Sequence, residues 1–233
     1  GNIWNLARLA AALAEVKDIL RIRYMTSHPR DMDDGLIAAH GANEKLMPFL
    51  HLPVQSGSDT VLAAMNRQHT ADDYLRLIER LRAARPDIAF SSDFIVGFPG
   101  ERDADFEATL DLVRTVKFAQ CFSFKYSPRP GTPAAAARKL VSETVKTERL
   151  LALQALLLQQ QDDANRATIG KSAPVLFEKP GREPGQLVGR TPWLQPVHAH
   201  GPKSLIGQVR NVAIERLTAN SLHGALAGES IPA

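Results

Sequence analysis

Cysteine is almost absent from this sequence, since Cys121 is the single one among 233 residues. One thiol cannot form an internal disulfide, so a disulfide-stapled scaffold is excluded and a reducing compartment, the cytoplasm, is expected. The longest apolar run, residues 150–158, is interrupted by Gln154 and falls short of the roughly 20 residues that a membrane span needs. We expect no membrane as a partner. The first residues, GNIW, lack an initiator methionine and a signal-type apolar core, which indicates an interior segment.

Several motifs of nucleotide binding, nucleophilic catalysis and metal binding are also missing. The sequence contains no GxGxxG, GxxxxGK[ST] or GxSxG string and no paired-cysteine zinc motif. His28, His51 and His69 lack the spacing of metal ligands, so no metal site is predicted. Cys121 is interpreted as a packed apolar residue rather than a nucleophile. No pairing of a nucleophile with a base emerges, which disfavours an ordinary barrel hydrolase or lyase.

The balance of charge changes along the chain. Residues 168–233 hold seven Lys and Arg against four acids, whereas the first 167 residues carry equal numbers of each. The whole net charge of +3 therefore lies in the last third, as expected of a module that contacts RNA. An excess of this size also occurs on domains that bind no nucleic acid, so charge alone leaves both interpretations open.

Apolar, β-rich segments alternate with helical periodicity in the first part of the chain. The strand candidates are residues 19–25, 49–54, 88–96 and 119–126. Between them, Thr70 caps a helix that Arg85 and Pro86 close, and residues 103–117 repeat this design. Because parallel strands need such crossovers, the pattern indicates an α/β barrel or an open parallel sheet. Four such units make about half of an eight-stranded barrel, so we predict a partial parallel barrel over residues 1–168.

The last third has a different pattern. A long helix over residues 142–168, ending near Gly170, is predicted to connect the two parts. Short β-type runs follow, separated by Pro-Gly and Gly-Pro pairs: residues 173–178, 186–190, 197–199, 206–217 and 221–226. Five short strands in about sixty residues predict a small antiparallel five-stranded β-barrel over residues 169–233.

The residues that follow the strand candidates are the place to look for a ligand site, because parallel α/β sheets bind ligands at the carboxyl ends of their strands. All four turns combine glycine or proline with hydroxyl, amide or charged groups: TSHPR at 26–30, QSGS at 55–58, GFPGE at 97–101 and SPRPGTP at 127–133. Turn chemistry and helix capping explain any one of them. Because four such turns are expected at one edge of the sheet, a shared ligand site is as well supported as the explanation by turn chemistry and capping.

Single residues at these ends leave alternatives open. Asp93 lies within an apolar strand candidate, so its carboxylate must either bind a ligand or accept a structural hydrogen bond. Gln55 and Ser56 suit a ribose or amino-acid group, whereas helix capping explains Ser58 equally well. Glu101 could anchor its loop, but we favour a role at the amino terminus of the next helix.

Three strings at the strand ends resemble one known family. HLPVQSGS at 51–58, SSDFIVGFPGE at 91–101 and FSFKYSPRPGTPA at 122–134 are similar to the radical S-adenosylmethionine (SAM) methylthiotransferases. The resemblance extends from about residue 21 to residue 226. Its last portion resembles the TRAM domain, a small RNA-binding β-barrel.

The resemblance implies radical chemistry on tRNA. In this family one [4Fe–4S] cluster, held by three cysteines, cleaves SAM into a radical, and a second cluster in an N-terminal domain supplies sulfur. A methylthio group is then added to C2 of N6-isopentenyladenosine next to the anticodon. The implied partners are the anticodon stem-loop of tRNA, with no DNA, and an electron donor such as flavodoxin.

The sequence departs from the family pattern at the clusters. Cys121 stands on the fourth strand candidate, whereas cluster binding requires a three-cysteine loop after the first barrel strand. We predict that these residues are the C-terminal part of a longer enzyme. Alone, they are expected to bind no cluster and to supply no catalytic residue.

Carried over position by position, the resemblance places SAM at three strand ends. The residues assigned to it are Gln55, Ser56 and Ser58 near the ribose or methionyl group, Gly97, Phe98 and Pro99 along the adenine, and Asp93 on the same strand as that segment. Arg129 would contact the tRNA backbone or the cofactor carboxylate through its planar guanidinium. In the tail, the candidates for phosphate contacts are Arg190, Lys203 and Arg210.

Two other functions stay open. Close relatives within the family modify threonylcarbamoyl-adenosine in tRNA or a ribosomal protein, and they share the GFPGE loop. The strings at 51–58 and 126–133 are most similar to the enzymes that act on isopentenyladenosine. A different class of function is a non-catalytic RNA-binding adaptor. A cluster-binding segment upstream in the full gene would argue against it.

Overall fold

The computed structural model describes residues 4–25, 28–137, 139–219 and 221–228, and the chain divides into two compact units, residues 1–161 and 162–233. The helices are α1 Leu6–Ala14, α2 Asp34–Ala42, α3 Asp59–Ala64, α4 Ala71–Ala84, α5 Asp103–Val116 and α6 Glu143–Arg166. The strands are β1 Phe49–His51, β2 Ala89–Val96, β3 Gln120–Lys125, β4 Ser172–Pro180, β5 Gln186–Arg190, β6 Pro196–His200, β7 Val209–Leu217 and β8 Leu222–Leu226.

The first unit contains a parallel three-stranded sheet in the order β1-β2-β3. Its register pairs Leu50 with Phe90 and Ser92 with Cys121. One face packs against the helices, where Leu50, Phe90 and Phe94 are at most 1% exposed. The other face, which we call the open face, carries Asp93 and its register partner Phe122. This arrangement confirms the predicted partial parallel barrel.

Local sequence explains the crossover helices. Thr70 and Asp73 form a capping box at the start of α4, and Arg85 ends the helix in an extended conformation before Pro86. The buried stripe of α4 consists of Tyr74, Leu77, Ile78 and Leu81. The same spacing on α5 places a second apolar stripe against the sheet, so β1, β2 and β3 run in one direction.

The strand predicted over residues 19–25 is wrong. Only two isolated bridges occur there, Ile22 with Leu46 and Met25 with His51. Between these bridges the chain advances three residues on one side and five on the other. The Met47 N–H still donates to the Ile22 carbonyl, but the Phe49 N–H turns back to the Met47 carbonyl at 2.8 Å, so no regular ladder continues from there. The turn predicted at residues 26–30 lies partly outside the described residues, and His28 there caps a short 3-10 turn, Pro29–Asp31.

The second unit holds a closed five-stranded barrel in the order β4-β5-β6-β8-β7. All neighbouring pairs are antiparallel except β6 with β8. Its own core contains Val175, Phe177, Val197 and Val212, all fully buried. The small β-barrel expected from the sequence is therefore confirmed, with one parallel pair that the strand pattern could not show.

The two units meet at residues 161 and 162, within α6, whereas the sequence placed the boundary after residue 168. That domain boundary stays a prediction. No helix among the described residues is both long enough and apolar enough to cross a membrane.

Candidate functional site

The carboxyl ends of the three parallel strands bring the predicted turns together. The Gln55 N–H donates to the Asp93 carbonyl at 3.0 Å, just beyond β1. The Tyr126 N–H donates to the Val96 carbonyl at 2.8 Å, just beyond β3, and Gly97 follows β2 directly. Gln55, Gly97 and Tyr126 therefore lie at one edge of the sheet, where a shared ligand site requires them.

Gln55 has an unusual backbone. Its φ is 77°, in the region that favours glycine, and the residue is 8% exposed. Both its N–H and its carbonyl pair with β2, which holds the residue in this conformation. Strained residues of this kind are held by their surroundings and concentrate at functional sites.

The two serines beside Gln55 are bonded to the protein itself. The Ser56 hydroxyl lies 3.3 Å from the Thr109 hydroxyl, and the Ser58 hydroxyl donates to the Asp105 carboxylate at 2.7 Å. A Cβ on Gly57 would lie 2.4 Å from the Ala108 carbonyl oxygen, so α5 requires glycine there. The hydroxyls thus fix the turn against α5, and their contact with SAM stays a prediction.

The loop after β2 is held by a buried ion pair. The Gly97 N–H donates to the Glu101 carboxylate at 2.9 Å, and Arg149 Nη1 donates to the same oxygen at 2.7 Å. The side chains of Glu101 and Arg149 are 2% and 8% exposed. Burial raises the pKa of Glu101, and the bonds from Gly97 and Arg149 oppose that rise. Glu101 therefore anchors its loop, and the favoured role at the next helix is wrong: α5 begins at Asp103, and the acids of its first turn are Asp103 and Asp105.

An aromatic pair closes this end of the sheet. The rings of Phe98 and Tyr126 meet edge to face with centroids 5.0 Å apart, and Lys146 Nζ lies 5.8 Å from the Tyr126 ring. Phe98 is 7% exposed. The Tyr126 hydroxyl is buried and has no hydrogen-bond partner among the described residues. Phe98 and Tyr126 thus form an aromatic wall at this end of the sheet, and its contact with an adenosine stays a prediction.

Asp93 projects from the open face of β2. Its side chain is 31% exposed, and Oδ2 lies 3.6 Å from His51 Nε2. His51 Nδ1 in turn lies 2.7 Å from the Ser91 hydroxyl. Asp93 is thus both paired and accessible, so the two roles left open by the sequence are compatible. Pro99, the last residue assigned to SAM, is half-buried in the loop after β2.

The predicted RNA contacts are spread over both units. Arg129 is exposed in the loop after β3. In the barrel, Arg190 pairs with Leu176 across β4 and Arg210 pairs with Val175, so both lie beside β4. Lys203 lies in a 3-10 turn, Lys203–Leu205, between β6 and β7. Arg190 is engaged, since its Nε lies 3.5 Å from the Glu178 carboxylate.

The described residues do not fit an iron–sulfur cluster. Cys121 is half-buried and packs against the helix-side core, and burial raises the pKa of its thiol. A cluster ligand must be a thiolate, which this environment disfavours. No group of three or more His, Cys, Asp or Glu side chains suited to a metal ion occurs within the part of the chain that the structure describes.

Sequence reasoning missed the side chains of α6 that support the site. Lys146 packs over Gly97, Arg149 binds Glu101, and both share the buried face of α6 with Leu153. The signal is two cations at helical spacing on an otherwise apolar stripe. Gly97 and Glu101, which these two side chains support, lie more than 40 residues away from them in sequence, so local patterns do not reveal the contacts.

Comparisons with known proteins agree with this geometry. Residues 3–113 match the model of the radical SAM superfamily, and residues 166–227 match that of the TRAM domain. The chain is 62% identical over 225 residues, 97% of its length, to the tRNA-2-methylthio-N(6)-dimethylallyladenosine synthase of Maricaulis maris (strain MCS10). The match covers 49% of that protein, so the chain spans about half the length of this curated relative.

A solved structure supports the fold. Coproporphyrinogen III oxidase from Escherichia coli, described as a radical SAM enzyme, superposes with a TM-score of 0.54 at 22% identity. The superposition covers 66% of this chain and 36% of that protein. It shows the fold alone, whereas the sequence relative and the two domain matches show the family. The chain belongs to the radical SAM methylthiotransferases.

Proposed function

We propose that the protein to which this chain belongs adds a methylthio group to C2 of N6-isopentenyladenosine next to the anticodon of tRNA. The observation that carries the proposal is the convergence of Gln55, Gly97 and Tyr126 at one edge of a parallel sheet, within a chain of this family. The activity for which the Maricaulis relative is named supports the choice of tRNA nucleoside. Family members acting on threonylcarbamoyl-adenosine or a ribosomal protein are the alternative outcome of the test.

The strand ends are proposed to bind SAM. When bound, SAM supplies a radical able to activate an aromatic C–H bond. Gln55, held at this edge by its backbone bonds to β2, would offer its amide to the cofactor. Asp93 would offer an accessible carboxylate to hydroxyl or ammonium groups, and the backbone of residues 97–99 would lie along the adenine. Phe98 and Tyr126 exclude water from this edge, which protects reactive species from side reactions.

Both [4Fe–4S] clusters and the docking site for an electron donor such as flavodoxin are proposed to lie outside this chain. The support is chemical, since the chain's only cysteine is half-buried with a raised pKa. Anaerobic iron–sulfur reconstitution of the 233-residue chain is expected to leave no stoichiometric cluster. Absorption and iron analysis read the result, and a four-iron spectrum would overturn this part of the proposal.

The TRAM portion is proposed to hold tRNA in the cytoplasm. Arg190, Lys203 and Arg210 would contact phosphates, which position a nucleic acid without reading its sequence, and Arg129 would add a contact from the other unit. Basic side chains outnumber acids in this part of the chain, in agreement with an anionic partner.

The whole protein gives the decisive test. Its expression in a bacterial strain that lacks tRNA methylthiotransferases should yield 2-methylthio-N6-isopentenyladenosine, detected by mass spectrometry of digested tRNA. The Asp93→Asn variant should reduce this product at least tenfold, while Asp111→Asn, an exposed change on α5, should not. Methylthiolation of threonylcarbamoyl-adenosine or of a ribosomal protein instead would establish an alternative, and an unmodified tRNA pool with soluble protein would favour the adaptor.

A further inference from the structure

A continuous row of side chains crosses all five strands of the barrel on its outer surface. Successive register partners are Lys179 with Val188, Val188 with His198, His198 with His223, and His223 with Arg216. We call these five residues the belt. Register partners point to the same side of a sheet, and the neighbours Leu187, Val197 and Leu222 fill the core, so the belt faces outward.

Both ends of the belt are created by β-bulges. The register of β4 shifts between Phe177 and Lys179, and that of β7 shifts between Ile214 and Arg216. Phe177 and Ile214 point into the core, so plain alternation would send Lys179 and Arg216 inward as well. One extra residue in each strand reverses this direction. Bulges that re-aim side chains are retained features rather than defects, and here each one adds a cation to the belt.

The middle of the belt is a stacked pair of imidazoles. The rings of His198 and His223 have centroids 5.1 Å apart and planes inclined by 14°. Arg216 Nη2 lies 3.2 Å from His223 Nδ1, and this contact orients the His223 ring. His198 and His223 are half-buried, whereas Lys179 and Arg216 are exposed. Two parallel flat rings between two cations resemble the platforms on which proteins stack bases while holding phosphates.

We propose that the belt is the binding surface for an unpaired RNA segment, with bases stacking on the His198–His223 pair and phosphates held by Lys179 and Arg216. This inference rests on the proposed function, which makes RNA the partner of the barrel. It differs from the expected contacts at Arg190, Lys203 and Arg210, none of which lies in the belt. Arg190 in addition forms an ion pair with Glu178.

The dimensions of the belt suit a short single strand. Four steps between neighbouring strands span about 19 Å at about 4.8 Å each. About four nucleotides fill such a path, at the lower end of the site sizes of small β-barrels. A duplex keeps its bases stacked internally and cannot use the imidazole pair, so the belt selects unpaired over paired RNA.

The charged groups around the imidazole pair predict how pH affects the affinity of the belt for RNA. Arg216, His198, His200 and Glu183 all influence His223, and the sum of burial and the nearby positive groups lowers the pKa of His223. The ring is therefore neutral at pH 7 and gains charge on acidification. Because an RNA phosphate favours the charged imidazole, affinity should rise as pH falls below the ordinary imidazole value of 6.5.

Fluorescence anisotropy with the 233-residue chain tests the belt. The probes are a labelled single-stranded oligoribonucleotide of about ten nucleotides and a duplex RNA of the same length. The double variant His198→Gln, His223→Gln should weaken single-strand binding about tenfold and flatten its pH dependence. Lys179→Ala and Arg216→Ala should each reduce the dependence on log salt concentration by about one ion. Arg182→Ala, an exposed cation in the β4–β5 turn, is the matched control for loss of charge.

The outcomes separate the belt from the wider proposal. Circular dichroism melts must first show that each variant folds, and His198→Phe provides a second variant that keeps a flat ring. Should the wild-type chain bind neither RNA, the proposed role of the barrel in RNA binding fails along with the belt. The wild-type chain could bind strongly and lose binding in the Arg190, Lys203 or Arg210 variants but keep it in the belt variants. That result overturns only the proposed role of the belt. Equal affinity for duplex and single strand also overturns it.

Discussion

Gly97 and Gly100 are a matched pair of residues for testing how tightly the loop after β2 is packed. Both have positive φ, at 72° and 84°. A Cβ on Gly97 would lie 2.3 Å from Lys146 Cγ, whereas a Cβ on Gly100 meets nothing within 4 Å. Gly100→Ala should therefore cost about 1 kcal/mol from backbone conformation alone, and Gly97→Ala about 1–3 kcal/mol more because Lys146 must move.

Urea unfolding of the two glycine variants, followed by circular dichroism, measures this difference. Gly97→Ala combined with Lys146→Ala removes the obstructing side chain and should recover part of the loss. Equal free energies of unfolding for Gly97→Ala and Gly100→Ala would show that Lys146 does not confine the loop.

The buried ion pair of Glu101 with Arg149 should contribute strongly to stability. Arg149→Met leaves the buried Glu101 carboxylate without its cation, which should lower the free energy of unfolding by about 3–5 kcal/mol. The double variant Glu101→Gln, Arg149→Met should be less destabilised than Arg149→Met. Asp103 also contacts Arg149 but is fully exposed, so Asp103→Asn should destabilise the protein far less than Arg149→Met. Chemical denaturation gives all three values, and a mild Arg149→Met effect would contradict the anchoring role.

At the element scale, Asp105 ties the start of α5 to the turn after β1. Hydrogen bonds from Arg102 and Ser58 hold the pKa of Asp105 at about 2, below its ordinary 3.8. The stabilisation is therefore complete above about pH 4 and is lost as pH falls toward 2. Asp105→Asn should lower stability by about 2 kcal/mol at pH 7, and the difference from wild type should shrink below pH 4.

Thermal melts between pH 2 and pH 7 follow this change for Asp105→Asn. The control is Asp111→Asn on the same helix, which loses only an exposed contact with Arg114. A difference between wild type and Asp105→Asn that stays constant down to pH 2 would show that Asp105 is not ionised in the way its partners suggest.

The helices were easier to predict than the site contacts, for a physical reason. Capping boxes and apolar stripes are local, so α4 and α5 follow from residues within one or two turns of each other. Residues 19–25 form no strand because the ladder fails in the neighbouring segment, where the Phe49 N–H donates to the Met47 carbonyl, and a local pattern cannot include this. Likewise, Glu101 takes its role from Arg149, 48 residues away. The strand ends were recognisable because their long strings resemble a family, not because spacing alone defined a pocket.

At the scale of the whole molecule, the open face of the sheet leaves large apolar side chains in contact with water. Phe122, Phe124 and Met25 are 48%, 53% and 75% exposed. Phe122 is the register partner of Asp93 and Phe124 that of Ile95, so the exposed rings line the same face as the candidate cofactor residue. Contiguous apolar surface of this kind promotes association.

We therefore predict that the 233-residue chain self-associates as its concentration rises. Sedimentation velocity over a concentration series should show growing oligomers, and Phe122→Ser with Phe124→Ser should shift the chain toward monomer because the open face loses its apolar area. The control is the double variant Leu151→Ser, Leu158→Ser. These two leucines lie on α6 rather than on the sheet and are more exposed than the two phenylalanines, at 61% and 64%. If the two double variants have equal effects, exposed apolar side chains in general, rather than the open face, drive association. A wild-type chain that stays monomeric at high concentration would refute the prediction.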